Sequence, residues 1–188
     1  MESEVRELLT EELKDAFSAE KQALRCMQKA LKSATAPALK DGIQLHIEQT
    51  QVQIERLEQA MEKMEVKPGR KVCEAMRGLV EEAQSSIQEQ DKGPIMDLVI
   101  VAGMQRIEHY EISAYGTNIA LADALGEKEV SRLLNETLKE EKETDVSLTK
   151  ITQQSLMAEA MRGDELQDQS SKNQSSKGQS SKSRQAAE

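Results

Sequence analysis

"QRIEHYEISAYG", residues 105–116, lies in a segment whose apolar positions recur at helical spacing. At 100° per residue Met104, Ile107, Tyr115 and Ile119 fall on one stripe, and Glu108 and Glu111 fall inside it. A helix buries that stripe. An ionised carboxylate in an apolar core is strongly unfavourable unless it is paired or bound to a cation. The rest of the chain therefore has to supply a reason for two of them.

The neighbouring segments repeat the pattern. Residues 4–33 predict a helix with Leu9, Leu13, Phe17, Leu24, Met27 and Leu31 on its stripe, and Glu20 fills the place between Phe17 and Leu24. Pro37 interrupts it. A second helix over about 38–65 carries Ile43, Ile47, Thr50, Ile54, Leu57, Met61 and Met64, with His46 and Gln53 on one shoulder and "KPG" at 67–69 beyond its end. Residues 71–90 predict a shorter helix through Val72, Met76, Leu79, Val80 and Ile87. After the turn "DKGP" at 91–94, a third long helix runs to about 124, ahead of Gly126. The fourth covers about 127–160, its stripe being Leu134, Leu138, Leu148 and Ile151, with Glu141 and Asp145 between them.

Four long amphipathic helices, with a short one in the connection between the second and third, predict an all-α fold. The arrangement is a ferritin-like four-helix bundle with one long crossover. Residues 1–162 form this single domain. From 163 to 188 the composition changes to a "QSSK" repeat without apolar positions, which cannot offset its ordering entropy and predicts a disordered tail.

Composition narrows the function. Aromatic residues make up 2% of the chain and Trp is absent, which disfavours a β-sandwich and favours helices. The formal net charge of −9 argues against binding nucleic acid. Cys26 and Cys73 form no zinc motif and read as buried, reduced thiols of a cytoplasmic protein. The most apolar run, "IMDLVIVAGM" at 95–104, is too short to span a membrane, and the acidic N-terminus lacks a secretory signal pattern.

Antiparallel packing brings the middles of the four helices to one level. Glu20, His46, Glu108, Glu111, Glu141 and Asp145 then meet, with no Lys or Arg in the stripes beside them. Like charges about 4 Å apart repel by roughly 4 kcal/mol at an effective dielectric near 20. A pair of metal ions would neutralise the group, and carboxylates with imidazole suit iron or manganese. His109 lies off the stripe and reads as a surface residue. Tyr115, one turn from Glu111, reads as core packing or as a hydrogen-bond partner of a ligating carboxylate.

The motifs "AEKQAL" (19–24), "HIEQTQVQIERLE" (46–58), "CEAMRGLVEEA" (73–83), "IEHYEISAYGT" (107–117) and "LKEEKETDVSLT" (138–149) together resemble the YciE/YciF family of ferritin-like proteins. The resemblance covers about residues 5–160. It implies a rubrerythrin-like bundle, a homodimer, a di-iron centre with ferroxidase chemistry toward oxygen or peroxide, and a stress-associated role. It places Glu20, Glu108, Glu111 and Glu141 among the ligands. The general di-iron pattern has Glu-x-x-His on two helices. Here the second helix offers His46, Gln49 or Thr50, and Glu141 is followed by Thr144 and Asp145. Two functions follow: a di-iron or di-manganese oxidoreductase, or a helical scaffold protein with a degenerate metal site.

Overall fold

The computed structural model describes residues 1–162, and the expected tail at 163–188 lies outside the described residues. The helices are α1 (Glu2–Ser33), α2 (Pro37–Lys63), α3 (Glu74–Gln88), α4 (Pro94–Ala124) and α5 (Lys128–Ile151). Among the described residues there is no strand. α1, α2, α4 and α5 form the four-helix bundle, with α1 beside α2, α2 beside α5, α5 beside α4 and α4 beside α1. The short α3 lies in the long connection between α2 and α4 and packs on both α1 and α4. This is the ferritin-like arrangement the sequence predicts.

Each long helix turns a seven-residue repeat of positions inward. On α1 these are Leu9, Leu13, Ala16, Glu20, Ala23, Met27 and Ala30. On α2 they are Leu39, Ile43, His46, Thr50, Gln53, Leu57 and Ala60. On α4 they run Asp97, Val101, Met104, Glu108, Glu111, Tyr115, Asn118 and Ala122. On α5 they are Val130, Leu134, Thr137, Glu141 and Leu148, with Thr144 half-buried at the place between the last two. Alternating steps of four and three keep one seam facing the neighbouring helices along the whole bundle. The small residues of α1 let its neighbours approach closely, so Leu24 and Leu31 of the predicted stripe sit only partly buried at its edge.

Polar residues divide the core into two apolar blocks. Met27, Ile43, Ile100, Met104 and Leu148 belong to one. Leu13, Phe17, Leu57, Tyr115 and Leu134 belong to the other. The methionines at helical spacing fill these blocks, as expected of an unbranched, adaptable side chain.

Several boundaries differ from expectation for local reasons. α2 stops at Lys63, ahead of the "KPG", because Glu65 takes φ +59° and the Val66 N–H returns to the Met61 carbonyl at 2.8 Å. α3 starts at Glu74 because Cys73 caps it, its Sγ accepting from the Met76 N–H at 3.4 Å; Val72 is thus left outside the helix and exposed. α5 does not run on uniformly to 160. A π-helical turn, Thr152–Leu156, inserts into its continuation. The extra residue rotates the following turn and brings Leu156 and Ala160 to the buried side. At the start of α4, the fully buried Asp97 accepts from the Thr35 N–H at 2.7 Å, the Thr35 hydroxyl at 2.5 Å and the Ala36 N–H at 2.8 Å. It thereby fastens the α1–α2 turn to the end of the bundle.

Candidate metal centre

The polar layer between the apolar blocks contains five of the six residues the sequence singled out. Glu20, His46, Glu108, Glu111 and Glu141 are all buried. His46 Nε2 lies 3.0 Å from Glu108 Oε1 and 3.6 Å from Glu141 Oε2. One ligand atom from each of His46, Glu108 and Glu141 falls within 4.8 Å of the others, a spacing a single ion can span. On the second helix it is His46 that joins this group. Thr50 is buried nearby with an unpartnered hydroxyl, and Gln49 is half-buried.

The carboxyl environments are unfavourable to charge. Burial, reinforced by the charge of Glu141, pushes Glu20 up to about 8, against the pull of a hydrogen bond from Tyr115. Burial likewise raises Glu108 to about 8, with Glu20 adding repulsion. Glu111 and Glu141 are displaced upward in the same way, Glu111 by burial and then by Glu20, Glu141 and Glu108. Glu108 Oε2, Glu111 Oε1 and both Glu141 oxygens are buried with no hydrogen-bond partner among the described residues. Buried polar atoms are ordinarily satisfied, so these oxygens are candidates for coordinating a cation. A cation fits this donor set.

Two contacts orient these side chains. Tyr115 O–H donates to Glu20 Oε1 at 2.5 Å, combining core packing with a bond to a carboxylate. His46 Nδ1 lies 3.3 Å from the Thr144 hydroxyl. A hydroxyl can donate or accept, so Thr144 can hold the ring in either tautomer.

Asp145 is placed differently. Its side chain is partly exposed; Oδ1 accepts from Gln105 Nε2 at 2.9 Å and lies 3.4 Å from Nε2 of the exposed His109. Thr144 holds the inward position of that turn, and one further residue rotates Asp145 by 100° into the α4–α5 seam. It is not part of the three-atom group, although its charge reaches Glu108.

The sequence reading set Gln53 on a shoulder of α2 and did not single out Asn118. Gln53 and Asn118 are fully buried; Gln53 Oε1 and both ends of the Asn118 amide lack partners among the described residues. Gln53 Nε2 donates to Glu140 Oε2 at 3.1 Å, and Arg56 grips Glu140 with two bonds of 2.6 and 2.8 Å. Arg56 holds the Glu140 carboxyl below its usual range despite partial burial. This pair bridges α2 and α5, with Arg56 nearly three turns beyond His46 on α2. On the opposite side, Cys73 Sγ lies 2.9 Å from the Tyr110 hydroxyl, which donates to Asp15 at 2.8 Å. Burial pushes the Cys73 thiol up, in keeping with a structural cap. No helix of the described residues is long and apolar enough to cross a membrane.

Comparison with known proteins agrees with this architecture. Residues 4–161 match the family described as a domain of unknown function, DUF892. Protein YciF of Escherichia coli (strain K12) is 40% identical over 149 residues, covering 79% of this chain and 90% of its own. The crystal structure of the E. coli stress protein YciF superposes with a TM-score of 0.75 at 39% identity, over 78% of this chain and 93% of that one. YcfI of Rhodopseudomonas palustris, described as a candidate structural protein, also gives 0.75 at 39% identity, over 77% and 92% of the two chains. A protein of Xanthomonas campestris pv. campestris shares the fold at a TM-score of 0.66 and 23% identity, over 86% and 99%. With nearly all of its described length matched, this chain belongs to the DUF892 family of ferritin-like helical proteins.

Proposed function

We propose that this protein is a di-iron or di-manganese carboxylate protein that oxidises Fe(II) with oxygen or peroxide. The observation that carries the reading is the buried His46, Glu108 and Glu141 group with its unpartnered carboxylate oxygens. These three residues would hold one ion. Glu111 and Glu20, coupled electrostatically to them, would serve the second. Iron, when bound, supplies the electron-transfer chemistry. The chain's own part is to orient and insulate. Tyr115 fixes Glu20, Thr144 fixes His46, and the two apolar blocks keep bulk water away. The buried carboxyls surrender their protons as the cations arrive, so uptake is opposed by acid.

The two positions are unequal. The chain has two histidines, and His109 is exposed at the α4–α5 seam. The Glu20–Glu111 side is therefore left with oxygen donors and should bind its ion more weakly. That asymmetry favours the second reading, a helical scaffold in which a degenerate site retains one structural ion. The description of the R. palustris relative as a candidate structural protein is in keeping with it. The E. coli relative is a stress protein, and a stress-associated role is proposed here on that likeness. A homodimer in the cytoplasm is proposed from the family resemblance.

The test is to load metal-free protein anaerobically with Fe(II), add oxygen or hydrogen peroxide, and follow the ferric product by absorbance. Oxidation faster than in protein-free buffer, and lost in Glu141→Ala, supports the oxidoreductase. Tight binding with oxidation at the buffer rate replaces it with the scaffold reading.

A further inference from the structure

We propose that the groove between α2 and α5 is the inlet through which metal ions reach the centre, with Thr144 and His46 as its inner gate. This rests on the metal-centre reading above. The groove has a volume of about 240 Å³ and is lined by Gly42, Leu45 and Gln49 of α2 and by Glu143, Thr144 and Ser147 of α5, among others. Thr144 belongs both to the groove and to the centre. Its hydroxyl is 3.3 Å from His46 Nδ1, and the other nitrogen of the same ring is 3.0 Å from Glu108 and 3.6 Å from Glu141. Two side chains thus separate the groove from the Glu108 and Glu141 carboxyls, three of whose oxygens lack hydrogen-bond partners among the described residues.

The α1–α4 and α4–α5 seams are closed at this level. α3 packs across α1 and α4, and its first turn is tied down by Cys73, Tyr110 and Asp15. The α4–α5 seam is filled by Gln105, which donates to Asp145 Oδ1 and to the Thr149 hydroxyl, both at 2.9 Å. Farther along the α2–α5 seam itself stands the Arg56–Glu140 pair. Glu143 is the one charged residue lining the groove; its exposed carboxylate lies 3.7 Å from Lys139 Nζ, a pairing that an arriving cation displaces. Rotation of the His46 ring away from Glu108 and Glu141 then opens the last barrier, and Thr144 receives the ring again once the ion is seated.

The experiment mixes metal-free protein with Mn(II) in a stopped-flow instrument, with free metal reported by a fluorescent indicator; a chelator chase gives the dissociation rate. Ser147 is exposed, so Ser147→Trp lays an indole over the groove without entering the core. It should slow association and dissociation by the same factor and leave the equilibrium constant unchanged. Glu143→Lys should lower the association rate by roughly tenfold at low salt, an effect that fades as ionic strength rises. Ser113→Trp, at an exposed position on α4, should exchange at the wild-type rate. If Mn(II) binds the wild type but both groove variants exchange at its rate, the inlet is overturned while the metal centre stands. If either groove variant weakens equilibrium binding by speeding release, the residue supports the site rather than the path and the inlet is again overturned. If the wild type binds no Mn(II), the metal-centre reading fails and the inlet with it.

Discussion

Replacing Glu111 by glutamine in the metal-free protein tests whether the carboxyls are held in a neutralising, water-poor space. Glu111 is buried, its Oε1 has no hydrogen-bond partner among the described residues, and burial and the charges of Glu20, Glu141 and Glu108 hold its pKa well above 4.5. The folded protein therefore keeps a proton there that the unfolded chain has already released. Stability from this group is present in full below the unfolded pKa near 4.5 and is lost as pH rises toward the folded one. Each proton so retained makes stability fall by about 1.4 kcal/mol per pH unit. Glu111→Gln keeps the shape and removes that proton. In a chain of this size the substitution should relax the slope of melting temperature against pH by about 3–5 °C per pH unit. Glu20 and Glu108, raised to about 8, keep a downward slope in both proteins. The assay is a series of thermal melts with chelator present, from pH 5 to pH 8. The variant should match the wild type at the acidic end and overtake it toward pH 8. Parallel curves would mean that Glu111 ionises equally in both states and is solvated. A variant that falls further behind as pH rises would mean that Glu111 is a charged, paired group. Either result refutes the reasoning.

The structure makes further stability and affinity predictions. Asp97→Ala leaves two backbone N–H groups and a hydroxyl at the α1–α2 turn without their acceptor and should cost about 3 kcal/mol or more in a urea melt. Gly103→Ala would set a methyl 2.9 Å from Ala83 Cβ, forcing α3 away from α4; roughly 1–3 kcal/mol should be lost, with faster amide exchange concentrated in α3. Thr144→Val removes the partner of His46 Nδ1 and should weaken Mn(II) binding by about 10–100-fold, while the metal-free melt changes little. A Thr144→Val protein with wild-type affinity would show that His46 does not depend on that hydroxyl.

The bundle was legible because its signal is repeated. The inward seams of α1, α2, α4 and α5 each extend over several heptads, so a misplaced boundary does not hide the helix. The burial of the acidic residues was legible for the same reason. Glu20, Glu108, Glu111 and Glu141 stand at inward places where an apolar residue is expected. Asp97 and Asn118 occupy the same seam of α4, eleven before and ten after Glu108, and carried the same signal. Both stand toward the ends of the helix, away from the level of Glu108 and Glu111. Gln53 was assigned to a shoulder and is fully buried, because the seam of α2 passes through His46, Thr50 and Gln53 rather than through Ile47 and Ile54. Asp145 was assigned to the seam and lies beside it, because the step from Glu141 to the next inward place is three residues and lands on Thr144. The Arg56–Glu140 clamp depends on a contact between two helices, which spacing along one helix does not encode.

The most direct measurement is anomalous diffraction from crystals of the protein loaded with Mn(II), recorded at the manganese edge. The account expects a strong peak within coordination distance of His46 Nε2 and of carboxylate oxygens of Glu108 and Glu141, and a weaker second peak toward Glu20 and Glu111. Anomalous density confined to surface carboxylates, with His46 still resting against Glu108 in the loaded crystals, would contradict it.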